Sequence, residues 1–274
     1  MGKKKPSLMI IQGGGCAQIE HATGIAKALE EEGIIADLYR GASSGALWSS
    51  LYVSGLRATK MEELIRTMKA SDLFKPDLVE IAKSFIPFLK CNYFFDYSNV
   101  EKIIKKYIDD KEAFAKVRVS ITNVATNKDR VVPATVDTVM ASMALPEIFP
   151  YRKIGNNYYK DGGVVNNIPL VKRTQLFDYS KIYIILCNEV DYKKPAWYSP
   201  KVYKLLNEAF CTMDREANDV HELFDDDPHV LIFQAPCFKS SILDFSKGYA
   251  LIDHAYEYGK HRILELKQKG YLLS

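Results

Sequence analysis

Residues 41–45 read Gly41-Ala42-Ser43-Ser44-Gly45, which is a G-x-S-x-G motif. Strand-like residues precede the motif at 34–40, and helix-like residues follow it. A nucleophile elbow requires this order, because its serine lies on a strained turn between a strand and a helix. We expect Gly41 and Gly45 to stand where a Cβ would collide with a neighbouring strand or helix. The motif predicts that Ser43 faces a cleft at a helix start, whose positive end favours developing negative charge.

A glycine triplet, Gly13-Gly14-Gly15, follows a predicted buried strand at 7–12 and precedes a helical pattern. In this layout successive backbone N–H groups converge on an anion. A Walker loop is not supported because no Lys-Ser or Lys-Thr follows, and a dinucleotide fingerprint fails because Gln18 occupies its third glycine position. An oxyanion hole needs only N–H donors, and Ser43 comes 28 residues after Gly15. We therefore predict that the triplet forms an oxyanion hole.

A third motif is Asp161-Gly162-Gly163, in which two glycines leave room beside a carboxylate at a predicted strand end. The Asn156-Asn157 pair before it predicts a tight turn, and residues 117–123 and 130–132 predict a hairpin. Strands that alternate with helices predict a mainly parallel sheet covered on both faces. Sites in such sheets gather beyond the carboxyl ends of strands, where all three motifs are expected to lie.

Composition limits the functional classes. A chain of 274 residues can bury a full core, and without repeats or linkers a single domain over 1–274 is expected. The net charge of +3 gives little electrostatic steering, so we expect no nucleic-acid partner. The apolar stretch at 8–11 is too short for a secretory signal, and the six-residue apolar run at 182–187 is too short to span a bilayer.

The five cysteines are odd in number and form no C-x-x-C pair, which favours reduced thiols in a cytoplasmic protein over disulfides or a zinc site. They are Cys16, Cys91, Cys187, Cys211 and Cys237. We interpret Cys16, beside the triplet, as a small filler residue and not as a nucleophile.

The three motifs, in this order and spacing, resemble the patatin-like phospholipase family. The text at 141–150 (Ala-Ser-Met-Ala-Leu-Pro-Glu-Ile-Phe-Pro) and at 161–169 (Asp-Gly-Gly-Val-Val-Asn-Asn-Ile-Pro) is similar to the family's stretch around its catalytic aspartate. The resemblance covers roughly the whole chain. It implies a three-layer α/β/α sandwich with a mainly parallel central sheet. It also implies acyl-ester hydrolysis of lipids or phospholipids, with no metal and no organic cofactor.

The resemblance also implies a role for each motif. Ser43 would be the nucleophile, Asp161 its partner, and the N–H groups of Gly13, Gly14 and Gly15 the oxyanion hole. Gly41, Gly45, Gly162 and Gly163 would support these residues. Family members usually carry a basic residue where this chain has Ala17. A free carboxylate has a pKa of roughly 4 and is a poor base, so burial must raise the pKa of Asp161 or geometry must compensate.

Two segments have alternative interpretations. Residues 56–110 are a candidate helical cap insertion. Their apolar stretch at 78–97 is either a core helix pair or a cap that lines an acyl-chain cleft or touches a membrane surface. Residues 193–201 place Trp197 and Tyr198 among lysines, which predicts either peripheral membrane contact or a packed loop.

Several functions stay open beside a serine esterase of phospholipase A or lysophospholipase type. A Ser-Asp-His triad would join Ser43 to His254 and to Asp225, Asp226 or Asp227. An acyltransferase would use the same acyl-enzyme with another acceptor. A non-catalytic relative would bind a lipid or a partner. A homo-oligomer and an activating partner also stay open.

Overall fold

The computed structural model describes residues 4–84, 92–107, 111–187, 215–225, 227–236, 245 and 248–273. The predicted membrane segment at 193–201 lies outside these residues, as do Asp226 and the centre of the apolar stretch at 85–91. Three of the five cysteines, Cys91, Cys211 and Cys237, lie outside them as well.

Strands and helices alternate along most of the chain. The strands are β1 (Leu8–Ile11), β2 (Leu38–Ala42), β3 (Lys75–Pro76), β4 (Phe95–Asp96), β5 (Val117–Asn123), β6 (Asp129–Pro133), β7 (Arg152–Ile154), β8 (Asn157–Asp161), β9 (Ile182–Ile185) and β10 (Val230–Phe233). The helices are α1 (Gly15–Glu31), α2 (Ser44–Val53), α3 (Ala58–Thr67), α4 (Ala70–Leu73), α5 (Leu78–Ser84), α6 (Ser98–Tyr107), α7 (Lys111–Ala115), α8 (Val136–Ser142), α9 (215–224) and α10 (Gly248–Gln268). Two 3-10 turns cover Gly162–Val164 and Arg173–Asp178.

Within the described residues, eight strands form one sheet in the order β10-β9-β1-β2-β5-β8-β7, with β6 beside β5. The run from β10 to β5 is parallel, and the pairings of β6, β7 and β8 are antiparallel. The predicted mainly parallel sheet and the β5–β6 hairpin are confirmed. The turn between β7 and β8 differs from the prediction. It is formed by Gly155 and Asn156, because glycine readily adopts the positive φ of 58° found at Gly155.

The sheet is buried on both faces. In β1, Met9 and Ile11 belong to one apolar cluster and Leu8 and Ile10 to the other, because successive side chains of a strand point to opposite faces. Residues of α1, α2, α3, α6, α8 and α10 also belong to the first cluster, and residues of α9 belong to the second. Helices therefore flank a mainly parallel sheet on both sides, which confirms the predicted α/β/α fold class.

Strand order brings two of the three motifs to neighbouring positions. β1 lies between β2 and β9. The parallel strands that follow it in sequence are therefore added on one side first (β2 and β5) and on the other side later (β9 and β10). A crevice forms outside the carboxyl ends of strands at such a switch point. The glycine triplet follows β1, and the elbow follows β2 at the same end of the sheet.

The third motif reaches the same place by a different route. β6 occupies one edge of β5, so β2 and β8 share the other edge. Ala42 at the end of β2 pairs with Ser120, and Asp161 at the end of β8 pairs with the next residue, Ile121. The carboxyl ends of these two strands therefore meet.

Residues 56–110 lie in the crossover between the parallel neighbours β2 and β5. Their described part contains helices α3 to α6 and the small antiparallel pair of β3 and β4. The single-domain organisation with this segment as a cap stays a prediction. Among the described residues, no helix combines the length and apolar character needed to cross a bilayer.

Candidate active site

Ser43 lies on a strained turn between β2 and α2. Its φ of 51° and ψ of −124° are rare for a residue with a side chain, and such strain concentrates at functional sites. A Cβ at Gly41 would overlap the backbone of Gly45, and a Cβ at Gly45 would overlap the carbonyl of Ile11 in β1. These glycines let strand, turn and helix approach closely enough to project the serine side chain.

The Ser43 hydroxyl donates a hydrogen bond to Asp161 Oδ2 at 2.7 Å. The other carboxylate oxygen, Oδ1, accepts the backbone N–H of Gly163 at 2.7 Å, which orients the carboxylate. Asp161 is only 2% exposed. Burial raises the pKa of Asp161 to about 7, against the smaller lowering effect of the hydrogen bonds from Ser43 and Gly163. This carboxyl can therefore exchange a proton near neutral pH.

The glycine triplet lies beside Ser43, but two of its N–H groups already have partners. The Gly13 N–H donates to the carbonyl of Asn167 at 3.3 Å, and the Gly14 N–H donates to Ser44 Oγ at 3.0 Å. Gly15 begins α1 with a φ of 65° and lines the pocket described below. The N–H groups of the first turn of a helix have no partner within that helix. Gly15 is the one member of the triplet in the lining of that pocket.

An apolar pocket adjoins Ser43 and Asp161, with ≈ 510 Å³ of empty space including the part open to solvent. Besides these two residues, its lining contains Gly15, Cys16, Ile19, Ser44, Leu47, Leu73, Phe74, Val100, Met143, Leu145 and Phe149. Eight of these side chains are hydrocarbon or thioether groups that cannot hydrogen-bond strongly. A pocket with this lining suits an apolar ligand such as a fatty acyl chain.

Two residues beside the triplet are buried. Ala17 is 2% exposed and belongs to the first apolar cluster, so this position faces the core. Cys16 is also 2% exposed and contributes to the pocket wall. Its burial is consistent with the filler role predicted for it.

Of the described residues that the alternative triad would add to Ser43, none lines the pocket. Asp225 Oδ1 lies 3.1 Å from His221 Nδ1, and Asp227 Oδ1 accepts the backbone N–H of His229 at 2.8 Å. His254 is on α10 close to His21, whose pKa is lowered to about 3 first by burial and then by His254. Among the described residues, no group of three or more His, Cys, Asp or Glu side chains is placed to hold a metal ion.

Sequence reasoning missed several polar groups that hold the site together. Ser142 Oγ accepts the backbone N–H of Ser43 at 2.9 Å, and Ser44 Oγ accepts that of Gly14. Asn167 Nδ2 donates to the carbonyl of Gly13 at 3.2 Å, and Glu216 accepts the backbone N–H of Asn167 at 3.1 Å. Ser142 and Asn167 lie within the stretches at 141–150 and 161–169 that resemble the family, whereas no sequence pattern singles out Glu216.

A comparison with protein families identifies the chain. The family model for patatin-like phospholipases matches residues 9–171, which is more than half of the sequence. The chain belongs to the patatin-like phospholipase family. The matched range includes the glycine triplet, Ser43 and Asp161. Membership of this family supports a lipid-hydrolase function and lipid substrates.

Solved structures add distant likenesses to this patatin-like chain. VipD from Legionella pneumophila is 12% identical with a TM-score of 0.49, and the match covers 98% of this chain and 67% of VipD. The type III effector ExoU is 12% identical with a TM-score of 0.46, covering 97% of this chain and 54% of ExoU. ExoU in its complex with SpcU from Pseudomonas aeruginosa is 13% identical with a TM-score of 0.47, covering 97% and 53%. The chain thus spans about half the length of ExoU. No curated protein matches at a significant level.

Proposed function

We propose that the chain is a lipid acyl hydrolase of phospholipase A or lysophospholipase type that uses Ser43 and Asp161. One observation carries the proposal: the Ser43 hydroxyl donates to a buried carboxylate, Asp161, at the wall of an apolar pocket. A nucleophile within hydrogen-bond reach of a base is the arrangement that covalent catalysis requires. A carboxyl whose pKa is about 7 is a much better base for a hydroxyl than one near 4.

Acylation uses both side chains. Ser43 Oγ attacks the ester carbonyl while its proton passes to Asp161. The tetrahedral intermediate then collapses, the alcohol leaves with the proton from Asp161, and the acyl group stays on Ser43. In the second half, Asp161 takes a proton from water as the water oxygen attacks the acyl-serine. Asp161 then returns this proton to Ser43 Oγ, and the fatty acid leaves.

We assign the oxyanion hole to the Gly13–Gly15 turn, with the Gly15 N–H as the donor nearest the pocket. Gly13 and Gly14 have a supporting role, since their N–H groups bind Asn167 and Ser44. The backbone N–H of the residue after an elbow serine is a second donor in such sites, which here is Ser44 at the start of α2. The positive N-terminal ends of α1 and α2 then stabilise the negative charge that develops on the carbonyl oxygen of the ester. Ala17 supplies no cation for this purpose.

The acyl chain of the substrate would occupy the apolar pocket. Residues 56–110 contribute Leu73, Phe74 and Val100 to its wall, which supports their interpretation as a cap that lines an acyl-chain cleft. A few residues after Phe74 along the chain, Leu78 is 75% exposed and Val79 is 67% exposed on α5. We extend the proposal to a peripheral lipid-surface contact at these two residues.

The decisive experiment compares wild type with Ser43→Ala, Asp161→Asn and His254→Ala on a short-chain nitrophenyl ester and on mixed phospholipid vesicles. Loss of hydrolysis in the first two variants, with unchanged circular dichroism and with His254→Ala near wild type, would support the proposal. Activity that survives Ser43→Ala would refute it. Loss in His254→Ala would favour the triad.

The same set of proteins separates the other functions. An acyltransferase would release little fatty acid until an acceptor alcohol or lysolipid is added. A non-catalytic lipid-binding relative would show no hydrolysis and no labelling of Ser43 by a fluorophosphonate. Labelling of Ser43 without hydrolysis would point to an enzyme that awaits an activating partner or a second copy of itself.

A further inference from the structure

Asn167 joins two segments of the candidate site. Its Nδ2 donates to the carbonyl of Gly13 at 3.2 Å, and its own carbonyl accepts the N–H of Gly13 at 3.3 Å. Its Oδ1 lies so close to Gly13 and Gly163 that a Cβ on either glycine would overlap it. Asn167 is 2% exposed. Asn167 therefore links the glycine turn to the turn after Asp161.

Glu216 holds Asn167 in turn. Its Oε2 accepts the backbone N–H of Asn167 at 3.1 Å, and its carboxylate also accepts a hydrogen bond from the backbone of Ile168. A buried N–H that loses its acceptor retains the full cost of its desolvation. We therefore expect the 167–168 backbone to shift when the carboxylate is removed, and Gly13 to shift with it.

Glu216 comes from the opposite side of the sheet. Helix α9 packs Ala217, Val220 and Phe224 into the second apolar cluster, whereas the pocket is built on the first. The carboxylate thus connects the helix layer behind the sheet to the turn that precedes α1. Glu216 also lies outside the family-matched range of 9–171, so no motif of that range includes it.

We propose that Glu216 is a positioning residue for the Ser43–Asp161 site and that it acts through Asn167. The proposal rests on the function proposed above, because it needs the glycine turn to act in catalysis. Glu216 touches neither the reacting atoms nor the pocket lining. It holds the backbone at 167–168, which holds Gly13 and with it the start of α1.

Burial and neighbouring groups act on Glu216. Burial raises the pKa of Glu216 to about 7, the hydrogen bond from the Asn167 backbone and the charge of Arg215 lower it, and Asp219 raises it. From the neighbouring elements, Asp161 ends β8, and Asp129 of β6 accepts a hydrogen bond from Asn166, the residue before Asn167. The Glu216 carboxyl keeps an oxygen that accepts the Asn167 N–H in either protonation state, so we expect Asp161 alone to govern the acid limb of the activity profile.

The test compares Glu216→Ala, Glu216→Gln and Glu222→Ala in the full chain with the short-chain ester. Glu222 is the matched control because it is an exposed carboxylate on the same helix. We expect Glu216→Ala to lower kcat roughly 10- to 100-fold with KM changed by less than about twofold, as small displacements of catalytic groups do. Glu216→Gln should recover most of kcat near pH 8, because its amide oxygen accepts the same N–H.

Rescue by Glu216→Gln but not by Glu216→Met is a readout that side-chain volume alone would not give, because glutamine keeps an acceptor for the Asn167 N–H and methionine does not. If Glu216→Ala does not fold, this comparison alone decides. A kcat of Glu216→Met within about twofold of that of Glu216→Gln, or a kcat of Glu216→Ala within about twofold of wild type, would overturn the positioning role.

Asn167→Ala completes a double-mutant cycle. If Glu216 acts through the Asn167 side chain on Gly13, the loss in the double variant is smaller than the product of the two single losses. Independent, multiplying losses would contradict a route through that side chain. The Ser43→Ala control distinguishes failure of the proposed function from failure of the positioning role. Activity that survives in Ser43→Ala refutes the proposed function. Normal activity of Glu216→Ala beside an inactive Ser43→Ala refutes only the positioning role.

Discussion

Ser43 follows β2 and Asp161 ends β8, two strands that run in opposite directions, and the side chains of these residues meet in a 2.7 Å hydrogen bond. β2 is parallel to β5 and β8 is antiparallel to it, but both strands use the same edge of β5. Their carboxyl ends therefore converge on adjacent residues of that strand. Sheet register, and not nearness in sequence, brings the hydroxyl to the carboxylate.

The pH dependence of hydrolysis follows from the burial of Asp161. Only the ionised carboxylate accepts the proton of Ser43, and burial raises its pKa to about 7. We expect kcat/KM to fall below about pH 7, by at least about tenfold per pH unit well below that value. A profile measured with the short-chain ester from about pH 5 to about pH 9 checks this. A flat profile down to about pH 5 would show that Asp161 is not the base.

The same burial predicts that Asp161→Asn stabilises the fold at alkaline pH. The folded state binds the Asp161 proton more tightly than the unfolded state, whose pKa is near the model-compound value of 3.8. The resulting stabilisation is present below about pH 4 and is lost as the pH rises to about 7. Asparagine carries no charge to bury, so it avoids this loss.

Urea unfolding at two pH values measures the effect. The free energy of unfolding of Asp161→Asn, relative to wild type, should rise by about 2.5 kcal/mol between about pH 5 and about pH 8. Asp178→Asn, at an exposed carboxylate, serves as the control and should show no comparable rise. Equal pH dependence of the two variants would argue against the raised pKa.

The elbow predicts a strong penalty for Gly45→Ala. The new Cβ would meet the carbonyl oxygens of Ile11 and Gln12, which are backbone atoms that cannot rotate away. We expect a loss of about 3 kcal/mol in the free energy of unfolding, together with slower labelling of Ser43. At Gly33 nothing lies within 4 Å of the added Cβ, so Gly33→Ala should cost only the roughly 1 kcal/mol of its left-handed backbone. Similar losses in both variants would contradict the close-approach argument.

Chain-length preference tests the acyl pocket. Leu145 is a partly buried residue of the pocket wall, and Leu145→Trp fills space beside Ser43. Each methylene excluded from the pocket forfeits about 0.8 kcal/mol, so excluding two lowers kcat/KM about 15-fold for a long-chain ester. Hydrolysis of an acetyl ester should change much less. Leu264→Trp, at an exposed position of α10, is the control, and an unaltered chain-length profile in Leu145→Trp would place the acyl chain elsewhere.

The lipid-surface contact predicts a defect that only an interface reveals. We expect the double variant Leu78→Ser, Val79→Ser to bind phospholipid vesicles about tenfold more weakly, because two exposed apolar side chains no longer enter the interface. The ratio of vesicle hydrolysis to soluble-ester hydrolysis should fall with it. Leu264→Ser, at an exposed position of α10, is the matched control. If the double variant co-sedimented with vesicles as wild type does, the lipid-surface contact at α5 would be wrong.

Local patterns predicted much of the fold. Unbroken apolar runs marked β1, β9 and β10, because strands buried on both faces need apolar side chains at every position. The Gly-x-Ser-x-Gly motif located the turn between β2 and α2, since only small flanking residues permit that approach. The turn after β7 was misplaced by one residue, because Asn-Asn and Gly-Asn are both good turn formers and register decides between them.

The sequence by itself determined the family, the mainly parallel α/β architecture and the candidate residues Gly13–Gly15, Ser43 and Asp161, because these depend on short patterns of residue size and backbone freedom. Tertiary structure alone decided which groups meet. It set the hydrogen bond between Ser43 and Asp161, the burial that raises the pKa of that carboxyl, and the contact of Glu216 with Asn167, 49 residues away. Such contacts follow from strand register and layer packing, which no local pattern encodes.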